Sequence, residues 1–234
     1  MRQNPALARS RLVMGALALA GCQAGQANDA TTTQRAPDSL SVLTLPAPRR
    51  DGTVSLEAAL RRRRSVRSFT DAPLTAVEIG QLLWAAQGMT DPRGSRTAPS
   101  AGALYPLECY VATPDALLHY TPNVHRLVAH VPGDQRSALA AAAYGQSAVA
   151  DAAVVIVITA VYARTAEKYG EERAFRYAAM EAGHAAQNVL LQAVALGLGA
   201  VPVGAFDDAQ VAQLLRLDMG EAPLYLIPVG HPDG

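Results

Sequence analysis

Four consecutive arginines, Arg61 to Arg64, run directly into Ser65, Val66 and Arg67. Guanidinium groups grip phosphate through paired charge-assisted hydrogen bonds, and a serine hydroxyl adds another, so Arg63-Arg64-Ser65-Val66-Arg67 suits a phosphorylated ligand. A solvated basic patch at a helix end would use the same residues. Two further segments offer backbone rather than charge. The loop from Arg96 to Pro106, with Pro99, Ser100 and Gly102, has small residues that let main chain approach a planar ligand closely. The segment Gly199 to Asp207, with Pro202, Val203, Gly204 and Ala205, leads from a strand into a helix, where amides can face a ring nitrogen or an anionic edge. Cys109 lies in a strand-like run and reads as a buried apolar thiol. His184, in an alanine-rich helix, reads as a core histidine, and the five histidines never adopt metal-ligand spacing.

Local patterns supply the elements that must position these residues. Ser55 can cap a helix through Leu60 that ends at the arginines, whose charge suits the negative end of the helix dipole. Thr75 with Glu78 forms a capping-box pair ahead of Val77, Ile79, Leu82, Leu83 and Ala86, giving a second helix to about Gly88. Strand signals follow at 107–113, 117–120 and 126–131, then an alanine-rich helix from Asp134 and a β-branched central strand at 153–160. A nearly uncharged helix at 174–198 must be buried on most sides, and 201–204, a helix at 207–217 and a strand at 224–229 complete the chain. The expected class is α+β, with helices flanking a mixed or antiparallel central sheet.

The 234 residues carry 20 acidic and 20 basic side chains, so no global field favours nucleic acid. Residues 1–21 hold three arginines and then an apolar run too short to span a bilayer, as in a secretory signal. Leu19-Ala20-Gly21-Cys22 resembles a bacterial lipobox, which implies lipidation at Cys22. Residues 22–50 read as a flexible tether, rich in polar residues and without period, and 51–234 as one domain. The envelope of a bacterial cell is the expected location, with the membrane reached through the lipid alone. An ordinary cleaved signal is the competing reading.

Together and in this order the three ligand segments resemble the nitroreductase superfamily, and within it the SagB-type dehydrogenase branch that includes azoline oxidases. Supporting pieces are Leu82 to Gly88, His119-Tyr120 with His125 and Leu127, Lys168-Tyr169-Gly170, Gly183 to Asn188, and Tyr225 through Pro232. The resemblance implies a nitroreductase-like fold, FMN as cofactor, a homodimer and a small-molecule or peptide substrate. It makes Arg63 the FMN phosphate ligand, gives Arg64 and Ser65 the ribityl chain and ring edge, and puts Arg67 at the flavin pyrimidine. A cation there stabilises the negative charge of reduced flavin. Pro99, Ser100 and Gly102 match a loop that covers the flavin of the neighbouring subunit. Pro202, Val203, Gly204 and Ala205 match the strand end along the ring, with the Gly204 amide facing N5. Lys168 and Tyr169 match a pair that removes a proton while the flavin takes hydride, although a solvated lysine beside a packing tyrosine reads the same way.

Two departures are visible. Ordinary nitroreductases continue beyond the last strand into a basic tail, whereas this sequence stops at Asp233-Gly234, and they carry asparagine where Ala103 stands. Outside the cytoplasm free NAD(P)H is essentially absent, which favours oxidation of an organic substrate or electron exchange with a membrane donor. The alternatives are a cytoplasmic NAD(P)H-dependent nitro or quinone reductase, and a flavin-less binding lipoprotein that kept the fold.

Overall fold

The computed structural model describes residues 41–234. The expected signal, Cys22 and most of the expected tether lie outside the described residues.

The capping signals identify real helix starts. In α1 (Leu56–Arg62) the Ser55 hydroxyl accepts from the Ala58 amide, and in α2 (Ala76–Gln87) Thr75 and Glu78 make both bonds of the capping box, an arrangement worth about 1 kcal/mol. Val77 is exposed rather than packed. The remaining helices are α3 (Arg136–Ala142), α4 (Ser147–Ala150), α5 (Ala163–Tyr169), α6 (Glu171–Ala195) and α7 (Asp208–Leu215). The strands are β1 (Val42–Thr44), β2 (Leu107–Ala112), β3 (Ala116–Thr121), β4 (Arg126–Pro132), β5 (Val154–Val161), β6 (Gly199–Ala200) and β7 (Glu221–Gly230). They form one sheet in the order β1-β4-β3-β2-β5-β7-β6, and every paired ladder is antiparallel. The α+β class stands, with no parallel ladder among the described residues.

Period-two alternation divides the sheet between two cores. Cys109, Val111, Ile156 and Ile158 face α2 and α6, while Tyr110, Ala112, Val155 and Val157 face the side of α3, α4 and α7. This explains why β5 reads as one continuous apolar run: helices cover both of its faces. Burial pushes the Cys109 thiol up to about 12, in keeping with an inert core residue.

Three expectations need correction. The sheet begins inside the stretch read as tether: β1 pairs with β4, and Leu45 is buried. The His125 ring anchors this segment. Its Nε2 donates to the Pro46 carbonyl at 3.0 Å, which leaves Nδ1 to accept the Tyr120 hydroxyl at 2.9 Å. α6 is not buried on most sides. Ala178, Glu181, Ala182, Ala185 and Val189 form its inner stripe, while Phe175 and Met180 are 55% and 54% exposed. His184 belongs to that outer face and is exposed, because its position falls off the stripe that meets the sheet.

Candidate functional site

The arginine segment is a strap laid along the sheet end. α1 ends at Arg62, and the chain then runs extended across β6, with Ser65 bridging Ala200 and the Val66 amide donating to the Ala200 carbonyl at 3.1 Å. Two glycines permit the approach. A Cβ at Gly199 would lie 2.6 Å from Val66 Cγ1 and 2.8 Å from its Cβ, and one at Gly230 would lie 2.9 Å from the Phe69 side chain. The strap therefore rests on backbone at both ends. Arg64 Nη1 donates to the Arg61 and Arg63 carbonyls at 3.0 and 2.8 Å, so part of its guanidinium is engaged in closing α1. Arg63 is half-buried and Arg67 exposed, and neither meets a carboxylate among the described residues.

Just past Ala200 the chain offers amides. Val203 exchanges hydrogen bonds with Leu226, after which Gly204 and Ala205 are exposed and their amides have no protein partner among the described residues. Gln146 donates to the Ala205 carbonyl at 3.1 Å, which orients the turn. Pro202, Val203, Gly204 and Ala205 thus adjoin Ser65 through the single connection at Ala200. Exposed guanidiniums followed by free amides fit FMN in kind: cations for phosphate, donors for the acceptor edge of a flavin ring.

The second group is built around the loop from Arg96 to Pro106. Its start is held by α2 and α6: the Arg96 guanidinium donates to Gln87 at 3.0 Å, the Thr97 hydroxyl to the Trp84 carbonyl at 2.9 Å, and Asn188 to the Thr97 carbonyl at 3.3 Å. Its tip is strained, with positive φ at Gly102 (63°), Ala103 (56°) and Tyr105 (47°). Tyr105 is fixed by Ser100 Oγ, which accepts its amide at 2.8 Å, and by Arg164, which donates to its carbonyl at 3.1 Å. The Arg96 guanidinium lies 4.4 Å from the centre of the Tyr105 ring. Arg164 also pairs with Glu108, whose other oxygen meets His119 at 2.8 Å. Burial works against ionisation of Glu108, but these partners outweigh it and hold its carboxyl below the ordinary value.

Arg164 lies on α5, which carries Lys168 and Tyr169 at its C-terminal end. Both side chains reach the loop tip: a Cβ on Gly102 would be 2.9 Å from Tyr169 Oη and 3.1 Å from Lys168 Nζ. Pro99, Ser100, Tyr177, Met180, Glu181 and His184 line an adjoining cavity of 270 Å³, and the Tyr177 ring meets that of Tyr169 edge-on. A larger apolar recess of 540 Å³ between β1 and the start of α2 is lined by none of the predicted site residues.

The structure therefore brings the predicted residues into two groups: the strap with Pro202 to Ala205, and Pro99, Ser100 and Gly102 with Lys168 and Tyr169. Among the described residues no hydrogen bond joins them within one chain. Sequence reasoning missed Glu181 and Arg164. Glu181 is detectable in retrospect, as an acid standing in the stripe of small apolar residues that α6 turns inward. Arg164 carries no local signal, because its partners are 56 and 59 residues away. No group of three or more His, Cys, Asp or Glu among the described residues can hold a metal ion, and no described helix is long and apolar enough to cross a membrane.

Residues 60–231 match the nitroreductase family model. A protein of Methanocaldococcus jannaschii provisionally named a nitroreductase is 46% identical over 184 residues, 76% of this chain and 91% of its own. A solved structure from Ralstonia eutropha, likewise provisionally named a nitroreductase, superposes with a TM-score of 0.76 at 33% identity, covering 82% of this chain and 90% of the other. The Escherichia coli microcin synthetase complex, solved with truncated pro-MccB17 bound, contains a chain that superposes with a TM-score of 0.66 at 26% identity, covering 82% of this chain and 78% of the other. This chain, with its nitroreductase-like fold, belongs to the nitroreductase family and is an oxidoreductase.

Proposed function

We propose that the protein is an FMN-dependent oxidoreductase of the SagB type, which takes two electrons as hydride from a small organic or peptide substrate. The observation that carries this is the meeting of Lys168 Nζ and Tyr169 Oη at Gly102, in the loop the resemblance assigns to the flavin. Members of the family typically bind flavin. FMN supplies a two-electron acceptor. The strap would hold its phosphate through Arg63 and its ribityl chain and ring edge through Arg64 and Ser65, with Arg67 toward the pyrimidine and the Gly204 amide as a donor to the ring. Lys168 and Tyr169 stand where the resemblance puts the pair that takes the substrate proton as the hydride leaves. The microcin synthetase complex, solved with truncated pro-MccB17 bound, is the likeness that favours a peptide as the substrate class.

The separation of the two site groups within one chain supports a homodimer in which each flavin sits between the strap of one subunit and the Pro99–Gly102 loop of its partner. The exposed Phe175 and Met180 on α6, with Leu56 and Leu60 on α1, supply apolar surface for it. The lipobox at Cys22 supports an envelope lipoprotein tethered outside the cytoplasm.

The test is oxidation of a thiazoline-bearing peptide by the purified full chain loaded with FMN, read as the mass loss of two hydrogens. Lys168→Ala with Tyr169→Phe should lower turnover by at least about a hundredfold while leaving FMN bound. Parent protein that leaves the peptide untouched but oxidises NADPH with a nitro compound would replace this reading with the nitroreductase one.

A further inference from the structure

Glu181 is the most enclosed acid of the second group, with only 4% of its surface exposed, and the chemistry above does not use it. It projects from the inner stripe of α6 toward the loop, where its Oε1 accepts the Ala101 amide at 2.9 Å. The Ser100 side chain stands beside the same carboxylate and favours its ionised form, while its hydroxyl accepts the Tyr105 amide. One buried carboxylate thus fixes the loop at Ala101, immediately before the three residues of positive φ. A left-handed conformation costs a non-glycine residue about 1–2 kcal/mol, and such strain persists only where surrounding bonds hold it. Glu181 supplies such a bond from a helix, the kind of rigid element that positions a site best. What lies beyond the clamp is Gly102, seated against Lys168 and Tyr169.

We propose that Glu181 is a positioning residue: by clamping the Ala101 amide it sets the strained tip that places Gly102 against the Lys168 and Tyr169 side-chain ends and presents the loop to the flavin. This rests on the FMN reading above for its second half alone. The clamp itself belongs to the ligand-free protein.

Two readouts on the purified full chain separate the clamp from the cofactor. Hydrogen exchange of the Ala101 amide, measured without flavin, should accelerate at least about tenfold in Glu181→Ala. The FMN dissociation constant, from quenching of flavin fluorescence, should rise at least about tenfold in the same variant. Glu181→Gln should keep both within about threefold, because its amide oxygen still accepts from Ala101. Rescue by Gln is not expected of a residue that matters only for overall stability. Leu139→Ala, in the opposite core, should lower the melting temperature and leave FMN affinity unchanged. If Glu181→Ala does not fold, Glu181→Asp, whose carboxylate is one methylene short of the Ala101 amide, should still speed Ala101 exchange severalfold. Unchanged exchange in Glu181→Ala or in Glu181→Asp overturns the proposal, as does an equal loss of FMN affinity in the Ala and Gln variants. A parent that binds no FMN would refute the functional reading instead, and the exchange arm would still decide the clamp.

Discussion

The seat of the arginine strap predicts a penalty for one methyl group at Gly199. In Gly199→Ala the new carbon would lie 2.6, 2.8 and 3.2 Å from Val66 Cγ1, Cβ and Cγ2, well inside the 3.5–4.0 Å at which carbon atoms attract. Val66 Cβ cannot rotate away, so the strap backbone must lift by on the order of 1 Å for this contact to reach ordinary van der Waals distance. That lift stretches the 3.1 Å bond from the Val66 amide to Ala200. Overpacking of this kind costs about 1–3 kcal/mol, part of it arising from displacement of Arg63, Ser65 and Arg67 from their ligand. Urea unfolding should show the loss of stability. Fluorescence titration should show FMN affinity reduced at least about tenfold, equivalent to about 1.4 kcal/mol. Val66→Gly removes all three clashing atoms, so the double variant should bind FMN better than Gly199→Ala alone, a positive coupling of about 1 kcal/mol or more. Wild-type affinity in Gly199→Ala, or strict additivity in the cycle, would refute the close-approach argument.

Gly102→Ala should separate stability from chemistry: the left-handed φ costs about 1 kcal/mol, but the new methyl meets only the ends of flexible side chains, so the protein folds while turnover falls with the displacement of Lys168 and Tyr169. Glu108 and Glu181 should affect acid stability in opposite senses. The Glu108 carboxyl is held below the ordinary value of 4.5, so its contribution is full above that pH and fades as pH falls below it; urea unfolding at pH 7 and pH 3.5 should show the penalty of Glu108→Gln shrinking. Burial raises the carboxyl of Glu181, so ionising it costs stability as pH climbs past 4.5, and Glu181→Gln should remove that decline.

Elements with local signals are legible in the amino-acid sequence. Thr75 and Glu78 announce α2, alternation announces β2, and a continuous β-branched run announces β5, because the residues that start or bury those elements lie within them or next to them. β1 is not legible, since its three residues sit in a polar stretch and are held by pairing with β4 and by the His125 contact to Pro46, some eighty residues away. α5 also escapes: it follows β5 after a single residue, and its start has no side-chain cap. The outer face of α6 misleads because alanine and an occasional Phe or Met look alike in a buried helix and in one that keeps an apolar face exposed. Of the candidate site, the arginine strap and the glycines of Gly199 to Ala205 carry composition that signals a ligand. The loop's supports carry less: Arg164 and Asn188 acquire their meaning only where α5 and α6 meet the loop, and Glu181 shows only as an acid in the inward stripe of α6.

The central claim is that the strap and the strand end hold FMN. The most direct test is the absorption spectrum of the purified full chain after incubation with FMN and removal of free flavin, beside Arg63→Ala and Arg67→Ala. A flavin band retained by the parent and diminished in both variants is the predicted result. A parent that retains no flavin, or variants that retain as much as the parent, would contradict it.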